Sequence, residues 1–134
     1  MAVLMELSRI LICEMQDLQI IELKEVDGER KFPILIGLSE AEAIRRRFQG
    51  VKIKRPLTHE LLASVIDAFG GRLESIEIND LSEHTFYAKL NIRRADGELL
   101  EIDSRPSDAI ALGVAGEVPI YVAEHVLEEA QSEL

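Results

Sequence analysis

The chain has 134 residues, is 47% hydrophobic, and carries 15 basic against 25 acidic side chains, for a formal net charge of −10. That length fits one domain with a sizeable core, and a single cysteine, Cys13, excludes an intrachain disulfide and suits a reducing, cytoplasmic setting. The acid excess argues against a polyanionic partner for the chain as a whole, and an apolar N-terminus broken by Glu6, Arg9 and Glu14 is too short to span a bilayer and lacks a basic leader.

In chain order, ELSRILICEM (6–15) and LQIIELKEV (18–26) read as two strands around a turn at Gln16-Asp17, with Cys13 a buried thiol in the first. VDGE at 26–29 is a hairpin signal in which Asp-Gly supplies positive φ. KFPILIG (31–37) follows as a strand, its Ile34-Leu35-Ile36 run apolar on both faces and expected to be buried. Ser39 is placed to cap the helix EAEAIRRRF, and Gly50 ends it. A second helix opens at Thr58 with Leu57 and Leu62 at staple positions. Its apolar face is Leu61, Leu62, Val65, Ile66 and Phe69, and Gly70-Gly71 stops it.

The pattern then starts again. LESIEINDL and TFYAKLNIRR alternate as strands around a turn at 82–84, with Phe86, Ala88 and Leu90 inward and Tyr87 outward. ADGE at 95–98 repeats VDGE, LLEIDS is a third strand, and SDAIAL repeats SEAEAI. The expected fold is α+β, a single domain (1–134) of two duplicated βββα units (3–49 and 72–116) with a helix between them. The strand VPIYVA and helix EHVLEEA close the chain. Edges of two incomplete sheet halves favour self-association, so a homo-oligomer such as a dimer is expected.

Two stretches carry possible chemistry. Residues 43–59 hold Arg45, Arg46, Arg47, Lys52, Lys54 and Arg55 and no acid, which is either a solvated basic helix end or a strip for phosphates. His59 follows in the first turn of its helix, either solvent-facing or a general base. The corner IDSRPSDAIALG (102–113) adds Asp103, Arg105 and Pro106 to the serine and acid shared with the first half. Asp103 and Asp108, joined by Glu101, would be able to share a hard cation such as Mg²⁺ or Mn²⁺, with Arg105 meeting a phosphate. The alternative is an ion pair of Arg105 with either acid, plus helix capping. No zinc-spaced Cys/His cluster, nucleophile elbow or phosphate-cradling glycine loop is present.

RPLTHELLASVIDAFGG, TFYAKLNI and above all IDSRPSDAIALG resemble the bifunctional nuclease domain family, over about residues 3–130 in the same order and spacing. That resemblance implies an α+β fold and a nuclease of DNA and RNA. The C-terminal module of UvrB/UvrC-interaction type that some relatives carry is expected to be absent. A metal-assisted phosphodiesterase would use Asp103, Arg105, Asp108 and His59, with the basic strip guiding nucleic acid in. The other reading is a non-catalytic oligomeric scaffold or nucleic-acid-binding regulatory module.

Overall fold

The computed structural model describes residues 1–133. Strands β1 (Ala2–Leu11), β2 (Leu18–Glu25) and β3 (Lys31–Gly37) form an antiparallel meander that runs into helix α1 (Leu38–Phe48). After α2 (Thr58–Ala68), strands β4 (Arg72–Ser82), β5 (Thr85–Arg93) and β6 (Leu99–Ser104) form a second meander that runs into α3 (Pro106–Gly113). A short 3₁₀ turn, β7 (Ile120–Ala123) and α4 (Glu124–Ser132) complete the described chain.

All seven strands belong to one sheet, in the order β3-β2-β1-β7-β4-β5-β6. The last strand in sequence is the middle strand in space: β7 pairs antiparallel with β1 and parallel with β4. The fold is α+β, with one mixed sheet and four helices. This changes the expected edges. Each meander lends an inner strand to β7, so only β3 and β6 remain as sheet edges.

Period-two alternation sends one face of β1–β5 and of β7 into a common core. Ile21, Leu23, Phe32, Ile76, Ile78 and Val122 are buried there against α1, α3 and α4. The helices bring Ile44, Ile110 and Leu127 to the same core, each fully buried. Curvature of the sheet carries its β3 edge back toward β5, where Phe32 and Phe86 stack with ring centroids 5.6 Å apart. Helix α3 lies close on β4 at Gly113, where a Cβ would stand 2.5 Å from Ile76 Cδ1.

Several local expectations are corrected. Cys13 is exposed, because β1 ends at Leu11 and the thiol falls in the following loop. There the buried Gln19 side chain accepts from Cys13 N–H and donates to the carbonyls of Cys13 and Gln16, shaping the turn. Leu35 is 59% exposed, since on an edge strand the residue between Ile34 and Ile36 faces away from the core. Ile102 on the other edge is 44% exposed. Ser39 lies inside α1, whose N-cap is Gly37, and does not cap it.

The two Asp-Gly turns also differ. Gly97 takes φ +94°, as a tight hairpin requires, whereas Gly28 does not enter positive φ. Gly28 instead leaves room for the Glu25 carboxylate, whose Oε1 lies 2.7 Å from where a Cβ would stand. Glu25 accepts from Arg30 N–H and from its guanidinium, which also donates to Glu124 at the start of α4 at 2.8 Å. The turn at 83–84 is tight: Glu83 and His84 both adopt positive φ, a two-residue hairpin without glycine.

Helix α2 departs most from its expected packing. Leu57 becomes its N-cap, and the Glu60 carboxylate reaches back to accept from Leu57 N–H. The staple does not form inside the protein, because Leu57 and Leu62 are exposed. Leu61, Val65 and Phe69 are exposed as well; of the expected face Ile66 alone turns inward, joined by His59 and Ala63.

Candidate active site at the start of helix α3

Helices α1 and α3 pack side by side, and their starts line one groove of about 600 Å³ between β3, the β4–β5 turn and the end of α4. Neither start has a side-chain N-cap: Gly37 and Arg105 occupy those positions. Each helix places an acid three residues in, Glu40 and Asp108, where the helix dipole favours negative charge. Pro106 at the first position of α3 pre-sets its φ and sacrifices no hydrogen bond.

Arg105 serves both acids. Its Nε donates to Asp108 Oδ2 at 2.8 Å, and a terminal nitrogen stands 4.0 Å from Glu40. The other oxygen of Asp108 meets His59 Nε2 at 2.9 Å. One carboxylate therefore holds an imidazole on one side and a guanidinium on the other. Burial opposes ionisation of Asp108, but hydrogen bonds from Arg105 and then His59 outweigh it and hold its carboxyl below the ordinary 3.8. His59 is 9% exposed, while the Arg105 side chain is 65% exposed and stands on the groove wall. The carboxylate can only accept, so Nε2 is the donor in this contact, and in the neutral tautomer the lone pair lies on Nδ1.

Asp103 is elsewhere. It pairs in register with Lys89, next to the Leu90–Ile102 pair, and Leu90 points into the core beneath α3. Alternation thus puts Asp103 on the open face of the sheet, away from Asp108. Glu101 shares that open face, where Lys89 donates to it at 2.9 Å and stands 3.7 Å from Glu77. These acids do not fit one divalent cation: Asp103 and Glu101 lie across the sheet from Asp108, whose two oxygens already have partners. Among the described residues no group of three or more His, Cys, Asp or Glu side chains is placed to hold a metal ion. Tyr87 is 43% exposed on that same open face.

The basic strip divides into engaged and free charges. Arg45 pairs with Glu42 at 2.6 Å. Arg47, with only 10% of its side chain exposed, pairs with Glu60 at 3.2 Å and donates to the carbonyls of Ala111 and Leu112 at the end of α3. Those carbonyls belong to the negative end of the helix, so Arg47 is a structural clasp between α1, α2 and α3. Arg46 Nε is buried and lacks a hydrogen-bond partner among the described residues. Lys52, Lys54 and Arg55 are exposed and form no ion pair among them. His84 and His125 are exposed, 3.5 Å from Glu133 and Asp80 respectively. No helix among the described residues is long and apolar enough to cross a membrane.

Spacing alone did not reveal Glu40 as a partner of Arg105, although an acid three residues into a helix was its signal. The contact of His59 with Asp108, 49 residues apart, has no local signature.

The cluster and its supporting helices lie in a stretch with known relatives. An uncharacterized protein of Mycobacterium tuberculosis is 44% identical over 115 residues, 86% of this chain and 68% of that protein. Bifunctional nuclease 2 of Oryza sativa subsp. japonica is 30% identical, over 76% of this chain and 32% of its own length. Bifunctional nuclease 1 of Arabidopsis thaliana is 25% identical, over 79% and 34%. The chain thus matches about a third of each plant protein. The pattern of the bifunctional nuclease domain matches residues 21–134, which include both sides of the His59–Asp108 contact, and the chain belongs to that family.

Proposed function

We propose that this chain hydrolyses phosphodiester bonds in DNA and RNA, with His59, Asp108 and Arg105 as the reacting cluster. The supporting observation is that Asp108 joins an imidazole to an exposed guanidinium beside a groove, in a member of the bifunctional nuclease domain family. Asp108 orients His59 and stabilises it once protonated. Nδ1 takes a proton from the water that attacks phosphorus, the P–O bond to the leaving nucleotide breaks, and the departing oxygen takes up a proton from solvent. Arg105 swings its exposed guanidinium to the phosphoryl oxygens as charge builds there. Apolar residues of the groove, Ile36 and Phe86 among them, give a nucleobase a wall to lie against. No step runs through a divalent cation, because the acidic residues do not converge on one. In this reading the chain works in the cytoplasm, where an exposed Cys13 stays reduced, and its two meanders descend from one duplicated βββα unit.

Lys52, Lys54 and Arg55, with Arg46 behind them, track the phosphate backbone. Replacing those three exposed residues with Ala is expected to flatten the salt dependence of duplex binding by roughly 2–3 slope units, near one per lost phosphate contact. Arg45→Ala, which removes a charge already paired with Glu42, is expected to leave the slope unchanged. Equal slopes for the triple variant and the wild type would remove the strip from the interface.

A second reading rests on a specific feature of the same cluster. Both oxygens of Asp108 are occupied and Arg105 is shared with Glu40, as in an ionic lock that only fixes two helix starts. A nucleic-acid-binding or scaffolding module would look the same there. The test is cleavage of single- and double-stranded DNA and RNA by purified protein, with Mg²⁺, with Mn²⁺ and with chelator. Cleavage supports the nuclease; binding without cleavage supports the module.

A further inference from the structure

The groove beside the reacting cluster has a volume of about 600 Å³, that of a small-molecule site, and Ile36, Phe86 and Pro106 give it apolar walls. Two polar side chains line it without partners. Ser107, at the second position of α3, is 5% exposed, and its hydroxyl forms no hydrogen bond among the described residues. Glu40 lines the groove from α1. Neither of its carboxylate oxygens accepts a hydrogen bond among the described residues, and its charged neighbour, Arg105, stands 4.0 Å away. Gly37 leaves that carboxylate its room, since a Cβ there would collide with Glu40 Oε1. A polar group buried without a partner is costly, and a ligand that completes it recovers the loss. The charge balance says which kind of ligand. Glu40 and Glu133 line the groove, the latter 3.5 Å from His84, against the single guanidinium of Arg105, which Asp108 already holds. That balance does not suit a phosphate inside the groove. It suits a flat, uncharged group rich in N–H donors.

We infer that the groove seats an unpaired guanine base, with Glu40 accepting from its N1–H and its exocyclic amino group and Ser107 donating to O6. The class of ligand, a nucleobase, rests on the nuclease reading above; the choice of base rests on Glu40 and Ser107. An ionised carboxylate only accepts, and its two oxygens match two donors side by side. Guanine alone presents such a pair on its Watson–Crick edge. Adenine and cytosine offer one amino group next to a ring nitrogen that itself accepts, and a carboxylate repels that nitrogen. Uracil and thymine offer one N–H between two carbonyls. On guanine O6 adjoins N1 on the side away from the amino group, so a hydroxyl beside the carboxylate meets the third polar atom of the same edge. The apolar walls cover the faces of the ring, as in recognition of splayed-out single-stranded bases. Base pairing uses the same edge, so a guanine inside a duplex cannot enter. Arg105, next to Glu40, stays with the phosphate, which places the chosen base beside the bond to be broken.

The experiment is calorimetric titration of the full chain with the 3′-monophosphates of guanosine, inosine, adenosine, cytidine and uridine, with circular dichroism on every variant. Wild type is expected to bind the guanosine nucleotide about 30-fold more tightly than those of adenosine, cytidine and uridine. Inosine, which keeps N1–H and O6 but lacks the amino group, should fall between. Glu40→Gln keeps the shape but puts an NH₂ group against the guanine donors, and is expected to bring the guanosine nucleotide to within about threefold of the others. Ser107→Ala, a smaller side chain in the same place, should weaken the guanosine nucleotide about fivefold and leave the adenosine nucleotide unchanged. Equal affinity for all five in wild type, binding of none of them, or an intact guanine preference in Glu40→Gln overturns the inference. Cleavage of a single strand by the same sample separates it from the nuclease reading. A guanine preference in a protein that cleaves nothing leaves the base seat standing and removes the hydrolase, whereas cleavage with no preference among the nucleotides does the reverse.

Discussion

Asp108→Asn is expected to lower phosphodiester cleavage at least ~100-fold while the protein remains folded. Asparagine keeps the shape of the side chain but turns one oxygen into an NH₂ group. It then cannot accept from both His59 and Arg105, and it carries no charge to stabilise a protonated imidazole. The same change should cost about 1–2 kcal/mol of stability, from the lost helix-terminus charge and charge-assisted hydrogen bonds, discounted because a third of the side chain is exposed. The direction with pH follows from the depressed pKa. The folded protein binds the Asp108 proton more weakly than the unfolded chain, so this stabilisation is complete well above 3.8 and is lost as pH falls through the lower folded value. The gap in melting temperature between wild type and variant should close in that acid window. A gap unchanged with pH would mean that Asp108 contributes no charge-dependent stability.

Arg47→Ala is expected to produce the largest loss of stability, about 3 kcal/mol or roughly a 10 °C fall in Tm. The guanidinium is nearly buried, and its removal takes the ion-pair partner from Glu60 and the side-chain donor from the carbonyls of Ala111 and Leu112 in one step. Glu60 is itself held below its ordinary value. Burial opposes this, but a backbone hydrogen bond and the Arg47 interaction prevail, so loss of Arg47 leaves a partly buried carboxylate unbalanced. Thermal unfolding of Arg47→Ala beside Arg45→Ala isolates the effect, because Arg45 lies two residues away and pairs only at the surface. Comparable Tm values for the two would show that the clasp between the three helices is not what holds them.

The sequence is most legible where structure is local. Both meanders, the glycine-free turn at 83–84, the helix after Gly37 and the corner leading into α3 follow from alternation, turn residues and the proline at helix start. Position in space is less so. Nothing in IYVA says that it will enter the sheet between β1 and β4, since any apolar strand satisfies that pairing. Helical periodicity finds the leucine row of α2 but does not say which side is covered. The helix buries its sparser side, His59, Ala63 and Ile66.

The site divides in the same way. Alternation in LLEIDS puts Asp103 with Glu101 on the face opposite Ile102, so proximity to Asp108 along the chain is a poor guide to proximity in space. The sheet lies between them. Three consecutive arginines read alike as a charge run, yet Arg45 pairs at the surface, Arg46 has a buried nitrogen and Arg47 closes a helix end. His59 was found through its place at a helix start, while its partner depended on how α2 packs against α3.

The proposal of a His59-centred hydrolase is tested most directly by one comparison. Wild type and His59→Gln are carried through the same purification and assayed on the same single-stranded substrate across pH, with circular dichroism confirming that both are folded. Glutamine fills most of the imidazole's space and can still hydrogen-bond Asp108, but it cannot take a proton from water. The account predicts cleavage by wild type, and a loss of at least ~100-fold in His59→Gln at every pH. Equal cleavage by the two folded proteins, or none by the wild type, would contradict it.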